Sequence, residues 1–201
     1  MKKIDKIIIG THNKGKFKEI RELLPSKLIK LSPKELNIPS PDENGTSFEE
    51  NSKIKAQFFS EKSNMVCISD DSGLEIDLLS GAPGIFSARW AGTENNFDLA
   101  IMKIFTELDR RDIKWKEKVI LCKFICCLTV YWPNGRFVSS TGVVHGQIAS
   151  SKRGNYGFGY DPIFIPKGHV KTFGEMDPKI KFQIDHRCIA YSKIKKLICN
   201  Q

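Results

Sequence analysis

Two long runs rich in β-branched and aromatic residues, 119–132 and 136–148, are separated only by Pro133-Asn134-Gly135. Such a pattern predicts two strands joined by a tight turn, a hairpin whose role is structural. It commits the middle of the chain to a sheet, and the remaining segments have to be read as what surrounds that sheet.

At the N-terminal end, Ile7-Ile8-Ile9 is a compact β-branched run followed by Gly10-Thr11-His12-Asn13-Lys14-Gly15-Lys16, after which Phe17, Ile20, Leu23 and Leu24 recur at helical spacing. This reads as strand, polar turn and helix. The turn gathers glycines, small polar side chains and two lysines where backbone N–H groups and a helix start converge, which suits a phosphate; a plain structural connection explains the pattern equally well. It is not a Walker A loop, since Phe17 stands where that motif needs Ser or Thr. Pro25 stops the helix, and Pro33, Pro39 and Pro41 bar segment 32–44 from regular helix or central strand, ending in Asp42 and Glu43. Ser47-Phe48-Glu49-Glu50 is a capping box opening a helix to about residue 63. Phe48, Ser52, Lys55 and Phe59 share one face of it, flanked by Asn51. Lys55 breaks that stripe, so it either snorkels to solvent or points at an anion.

The apolar run 65–68 reads as a short buried strand delivering Asp70, Asp71 and Ser72 into a turn permitted by Gly73. Adjacent carboxylates repel unless a cation lies between them, and with Glu75 and Asp77 close behind, a hard divalent ion such as magnesium is the natural counterweight. The competing reading is an Asx-type turn at a strand end. Residues 81–90 form a turn-rich loop too irregular for the core, and 97–108 an amphipathic helix with Ile101, Ile104, Phe105 and Leu108 on one side. A second glycine-rich loop, 150–161, offers Phe158 and Tyr160 as stacking surfaces for a flat ring, with a β-bulge carrying core aromatics as the alternative. Lys179, Lys181, His186 and Arg187 gather ahead of a last helix whose apolar face is Ala190, Ile194, Leu197 and Ile198, with Asp185 as its N-cap.

Composition constrains the rest. With 201 residues, 40% apolar and 27% charged, the chain suits one domain, 1–201. No apolar run has membrane-spanning length, and the start Met1-Lys2-Lys3-Ile4-Asp5-Lys6 lacks a signal-peptide pattern, so the expectation is a cytoplasmic protein. The six cysteines show no zinc spacing and are expected to be reduced and mostly buried. Lys plus Arg exceed Asp plus Glu by 32 to 23, a net +9 that favours polyanions. The basic residues are scattered, without the aromatic-interleaved stripe of a nucleic-acid surface, so no stable nucleic-acid partner is expected. The fold class expected is α/β: a mixed sheet split into two lobes around a central substrate cleft and flanked by helices.

Taken together, the segments resemble the noncanonical purine nucleoside triphosphate pyrophosphatases, the inosine/xanthosine triphosphatase family. The marks are residues 11–16, Ser47-Phe48 with Asn51 and Lys55-Ala56, Asp70-Asp71-Ser72-Gly73-Leu74, Gly81-Ala82-Pro83-Gly84 with Ser87-Ala88-Arg89, Gly157 to Pro162, and His186-Arg187. The resemblance implies hydrolysis of dITP, ITP or XTP to the monophosphate and pyrophosphate, with Mg2+, in a homodimer. It implies that Thr11, Asn13 and Lys16, in a turn shared with His12, Lys14 and Gly15, hold the triphosphate, joined by Lys55 with Asn51 beside it. Asp71 is implied as catalytic base and magnesium ligand, Glu43 as sharing the metal, and Ser72 as touching substrate. Phe158, Gly159, Tyr160, Asp161, Lys181, His186 and Arg187 are implied as the nucleobase pocket, with a protonated His186 and Arg187 donating to the 6-oxo group. Asp70 is expected to play a supporting part.

The chain departs from the family pattern at three places. His12 replaces the commonest glycine, Ser52 replaces an alanine, and the usual Ser-His-Arg-Gly reads Asp185-His186-Arg187-Cys188. A carboxylate beside His186 favours the charged imidazole, which bears on base preference. The rival expectations are a pyrophosphatase of other base preference, as in the Maf-like group, or a non-enzymatic basic nucleic-acid-binding protein, which predicts steeply salt-dependent binding instead.

Overall fold

The computed structural model describes residues 4–92 and 96–199. The expectations for Met1, Lys2 and Lys3 and for the thiol of Cys199 lie outside the described residues. The elements, in order, are β1 (Lys6–Ile9), α1 (Lys14–Leu23), β2 (Ile29–Leu31), α2 (Phe48–Ser63), β3 (Cys67–Ile76), α3 (Ser87–Trp90), α4 (Phe97–Arg111), β4 (Leu121–Tyr131), β5 (Phe137–Ile148), β6 (Phe164–Pro166), α5 (Pro178–Ile184) and α6 (His186–Cys199). The strand order is β2-β1-β3-β4-β5-β6, with β1 parallel to β2 and β3, and β5 antiparallel to β6. The mixed α/β sheet is therefore as expected, and the hairpin strands lie next to each other in it. By its contacts the chain divides into two compact units: Met1–Asp71, Cys126–Gly142 and His186–Gln201 form one, and Ser72–Ile125 with Val143–Asp185 the other.

In the first unit, strand alternation sorts the isoleucines of β1. Ile7 and Ile9 join Ile68 with Ile20 of α1 and Ala190, Ile194 and Ile198 of α6 in one cluster, while Ile8 joins Cys67 with Ala56 and Phe59 of α2 in another. Helices α1 and α6 thus cover one face of β1 and β3, and α2 covers the opposite face. Burying each such aliphatic side chain contributes roughly 1.5–3 kcal/mol. Gly142 on β5 belongs to the same arrangement, because a Cβ there would collide with the His186 carbonyl and the Ala190 amide nitrogen at the start of α6.

Both helices that enter the functional region begin as the residues dictate. The Asn13 side chain caps α1 by accepting from the Lys16 amide at 3.0 Å. At α2, Ser47 accepts from the Glu50 amide at 3.1 Å, and Glu50 reaches back to the Thr46 amide at 2.6 Å, one residue beyond the simplest capping box.

The second unit packs Leu74 and Ile76 of β3, Phe124 of β4 and Phe164 of β6 with Ile101, Ile104 and Leu108 of α4 and the fully buried Trp115 and Phe173. Three local expectations are corrected. The acidic stretch is no turn: β3 runs without a break through Asp70, Asp71, Ser72 and Gly73 to Ile76. Residues 81–90 are not all loop, since 87–90 form the short helix α3 with Ser87 buried. Residues 178–184 form a helix that hydrophobic spacing did not reveal, although Asp177-Pro178 is a helix-start signature, and Asp177 caps it by accepting from the Lys179 amide at 2.7 Å. Among the described residues no helix is long and apolar enough to cross a membrane.

Candidate active site

Because β3 is extended where a turn was expected, Asp70 and Asp71 point to opposite faces of the sheet. No cation has to sit between them, and each carboxylate has its own set of partners.

Asp71 faces α2. Its Oδ1 lies 3.5 Å from Lys55 Nζ, and its Oδ2 accepts from Asn51 Nδ2 at 3.3 Å, both long contacts. The Asn51 amide oxygen accepts from the Gly45 backbone at 2.8 Å, which ties the proline-rich segment to the same spot. From that segment Glu43 Oε1 comes within 3.0 Å of Lys55 Nζ. Lys55 is buried, so it does not snorkel, and the anions it meets are these carboxylates. Burial works against its charge, but Asp71, Glu43 and Asp70 outweigh burial and hold the ammonium above its ordinary 10.5. One turn before it, Ser52 Oγ bonds Thr129 Oγ1 of β4 at 2.7 Å, and Thr129 Oγ1 bonds Ser139 Oγ of β5 at 2.9 Å. This hydroxyl chain, absent from the expectations, pins α2 to the sheet.

Asp70 faces α1 and α6 and is fully buried. Its Oδ2 accepts from Arg187 Nε at 3.1 Å and Nη2 at 3.0 Å, with Lys16 Nζ at 3.4 Å. Arg187 Nη1 donates to Glu19 Oε2 at 2.8 Å. Every nitrogen of the guanidinium is therefore engaged within the protein, where the resemblance implied donors to a nucleobase. His186 is buried beside it, with its Nε2 3.2 Å from Arg187 Nη1. Glu19 was not foreseen, although it follows Lys16 at the (i, i+3) spacing of neighbours on a helix.

The turn between β1 and α1 occupies the carboxyl end of β1, where parallel sheets commonly bind ligands. Thr11 is buried and its Oγ1 accepts from the Asn13 amide at 3.2 Å. His12 Nε2 donates to the Ile38 carbonyl at 3.1 Å, bracing the turn against the proline-rich segment. The first turn of α1 carries Lys14, Gly15 and Lys16 and no acid, leaving the positive end of its dipole to an anion.

In the second unit Asp161 and Lys181 form a buried pair, Nζ to Oδ2 at 2.6 Å. The Asp161 carboxylate also accepts from the Phe158 amide at 2.8 Å, and Lys181 lies over the Phe158 ring at 5.3 Å. Gly157, at φ 74°, makes room for that carboxylate, which a Cβ would strike. The loop is thereby shaped by an ion pair and left-handed glycines, with no β-bulge. Tyr160 is a core aromatic, edge-on to Phe97 at 5.2 Å with its hydroxyl donating to the Ser87 carbonyl at 2.9 Å, which corrects its reading as a stacking surface. Gly159 follows Phe158 at φ 66°, and Ser72 is the half-buried first residue of this unit. The cationic cluster before α6 is dispersed: Lys179 is exposed, Lys181 pairs with Asp161, and Arg187 pairs with Asp70 and Glu19. Of the other acids, Glu75 pairs with Lys123 at 3.0 Å and Asp77 is exposed. The described cysteines are free, with Cys188 alone half-buried, and burial pushes the thiols of Cys67, Cys122, Cys126 and Cys127 up, away from reactivity.

Among the described residues no group of three or more His, Cys, Asp or Glu is arranged to hold a metal ion. Magnesium asks for less, because it keeps several waters and substrate oxygens and needs only one or two carboxylates. Glu43 and Asp71, both drawn to the Lys55 ammonium, are two carboxylates of the kind it would need.

Comparison with known proteins gives one result throughout. The Ham1 family model matches residues 7–197. A dITP/XTP pyrophosphatase of Zymomonas mobilis subsp. mobilis is 41% identical, covering 94% of this chain and 90% of that protein. Another dITP/XTP pyrophosphatase, of Oceanobacillus iheyensis, is 43% identical over 95% and 96%. The structure of a HAM1 protein from Coxiella burnetii superimposes with TM-score 0.85 at 32% identity, covering 98% of this chain and 99% of that one, and the Ham1 protein of Staphylococcus aureus with 0.82 at 31%, over 96% and 97%.

Proposed function

The chain belongs to the Ham1 family, and on that premise we propose that it hydrolyses the triphosphates of noncanonical purines, dITP, ITP and XTP, to the monophosphate and pyrophosphate. The observation that carries this reading is Asp71, which is 5% exposed and, among the described residues, held by the long contacts to Lys55 and Asn51. A carboxylate so placed is oriented yet retains accepting capacity, as a general base for water requires. Lys55 keeps its proton and stabilises negative charge on the departing pyrophosphate. Thr11, Asn13 and Lys16, with His12, Lys14 and Gly15 shaping the turn, receive the triphosphate at the uncompensated start of α1. Glu43 and Asp71 hold magnesium, which when bound neutralises phosphate charge.

On the base side, Phe158 offers a ring backed by Lys181, and the Gly159 and Asp161 backbone completes the loop, with Tyr160 holding it to the core. Ser72 contacts substrate next to Asp71. Arg187 acts through Asp70, with His186 packed beside it. We take the chain as one catalytic domain working as a cytoplasmic homodimer, with no membrane or stable nucleic-acid partner, its net +9 assisting capture of a polyanion.

The test is pyrophosphate release with magnesium from the triphosphates of inosine, deoxyinosine, xanthosine, guanosine, adenosine, uridine and thymidine. Release from the first three well above the others is expected. Preference for uridine or thymidine would transfer the chain to another base class, and no release from any would overturn the enzymatic reading.

A further inference from the structure

The second unit holds a cavity of about 450 Å³ that none of the phosphate-turn residues lines. Its lining includes the apolar Leu121 of β4 and Ile165 of β6. Its walls bring together Lys123 from β4, His145 and Gln147 from β5, and Lys167 and His169 from the segment after β6. The β5–β6 register makes this convergence obligatory: Gln147 pairs with Ile165, and the Lys167 amide donates to the His145 carbonyl at 2.9 Å, so the basic residues are neighbours across strands. Asp77 is the one carboxylate in the lining, while Glu75 neutralises Lys123 from outside it. Cys122, also in the lining, stays a neutral thiol through burial.

The geometry points to a second anion site here, for a small phosphate-bearing molecule of the size of pyrophosphate or a nucleoside monophosphate. A volume of this order suits such ligands. Lys167, His145 and His169 present N–H donors, and Gln147 an amide, from which a phosphate can accept charge-assisted hydrogen bonds. Among the described residues no Phe, Tyr or Trp lines the cavity, so recognition rests on the phosphate.

Amide NMR of the full chain, titrated with inorganic phosphate and separately with pyrophosphate at an ionic strength fixed with sodium chloride, tests this. Saturable shifts are expected at Gln147, Lys167, Gly168 and His169, apart from any at residues 11–16. The double variant Lys167→Ala with His169→Ala, both exposed positions, is expected to weaken binding at this site about tenfold or more and to leave pyrophosphate release from dITP unchanged. Shifts confined to residues 11–16, shifts reproduced by chloride alone, or shifts undiminished in the double variant would each overturn the site. Turnover measured in parallel keeps that outcome separate from the fate of the proposed activity.

Discussion

On the face of β3 turned to α1 and α6, Asp70 has no exposed surface and is gripped by a guanidinium at 3.0 and 3.1 Å; on the face turned to α2, its neighbour Asp71 keeps a little exposure and holds its partners at 3.3 and 3.5 Å. The same side chain, one residue apart, is a tightly held, fully buried ion pair in one direction and a more loosely held carboxylate in the other. What separates them is the partner: two nitrogens of the Arg187 guanidinium converge on Asp70 Oδ2, whereas the ammonium of Lys55, shared with Glu43, stands 3.5 Å from Asp71 Oδ1. Burial alone would have ranked Asp70 as the perturbed, chemically special residue. Partner geometry ranks it as structural.

Substitutions should divide along this line. Asp71→Asn is expected to cut turnover about 10²–10⁴-fold while the melting temperature stays near that of the parent; an unfolded variant or near-normal turnover would erase the distinction. Asp70→Asn should do the reverse, removing the fully buried one of the two carboxylates that Arg187 pairs with and costing about 3–5 kcal/mol of stability, read by denaturant unfolding. Lys55→Ala is expected to slow turnover about a hundredfold, and a loss confined to KM would mean that Lys55 only binds. Gly142→Ala should cost about 1–3 kcal/mol by driving β5 against the start of α6, with Arg187 and Asp70 following, so its thermal melt tests how tightly the sealed face depends on backbone fit. The smallest effect concerns pH. Lys55 has a raised folded pKa, so the stability it contributes is complete below 10.5 and fades only as the pH climbs through the higher folded value. Melting curves above pH 10.5 should therefore converge for the parent and Lys55→Met, a variant expected to lack that alkaline loss.

Much of this was legible in the residues. Asn13 and Ser47 announce their helices, Pro133-Asn134-Gly135 its hairpin, and Lys55 its own anomaly, because a lysine inside an aromatic stripe breaks the pattern that buries a helix. The helix 178–184 was hidden because Lys179, Ile180 and Lys181 give no clean apolar face, and its Asp-Pro start was the one local signal. The second glycine loop was only half legible: its glycines and aromatics marked it as irregular, but that Asp161 fills the space beneath Gly157 and locks onto Lys181 depends on a contact twenty positions away.

By itself the sequence determined the local elements, the family and the inventory of chemical groups, because caps, turns and hydrophobic period act over a few residues and motifs are read in order. It did not determine that the acidic stretch is a strand or which aspartate is which. That was decided when β3 entered the sheet, since pairing extends the backbone, extension sends adjacent side chains to opposite faces, and Arg187 reaches Asp70 across 117 positions only after α6 has packed.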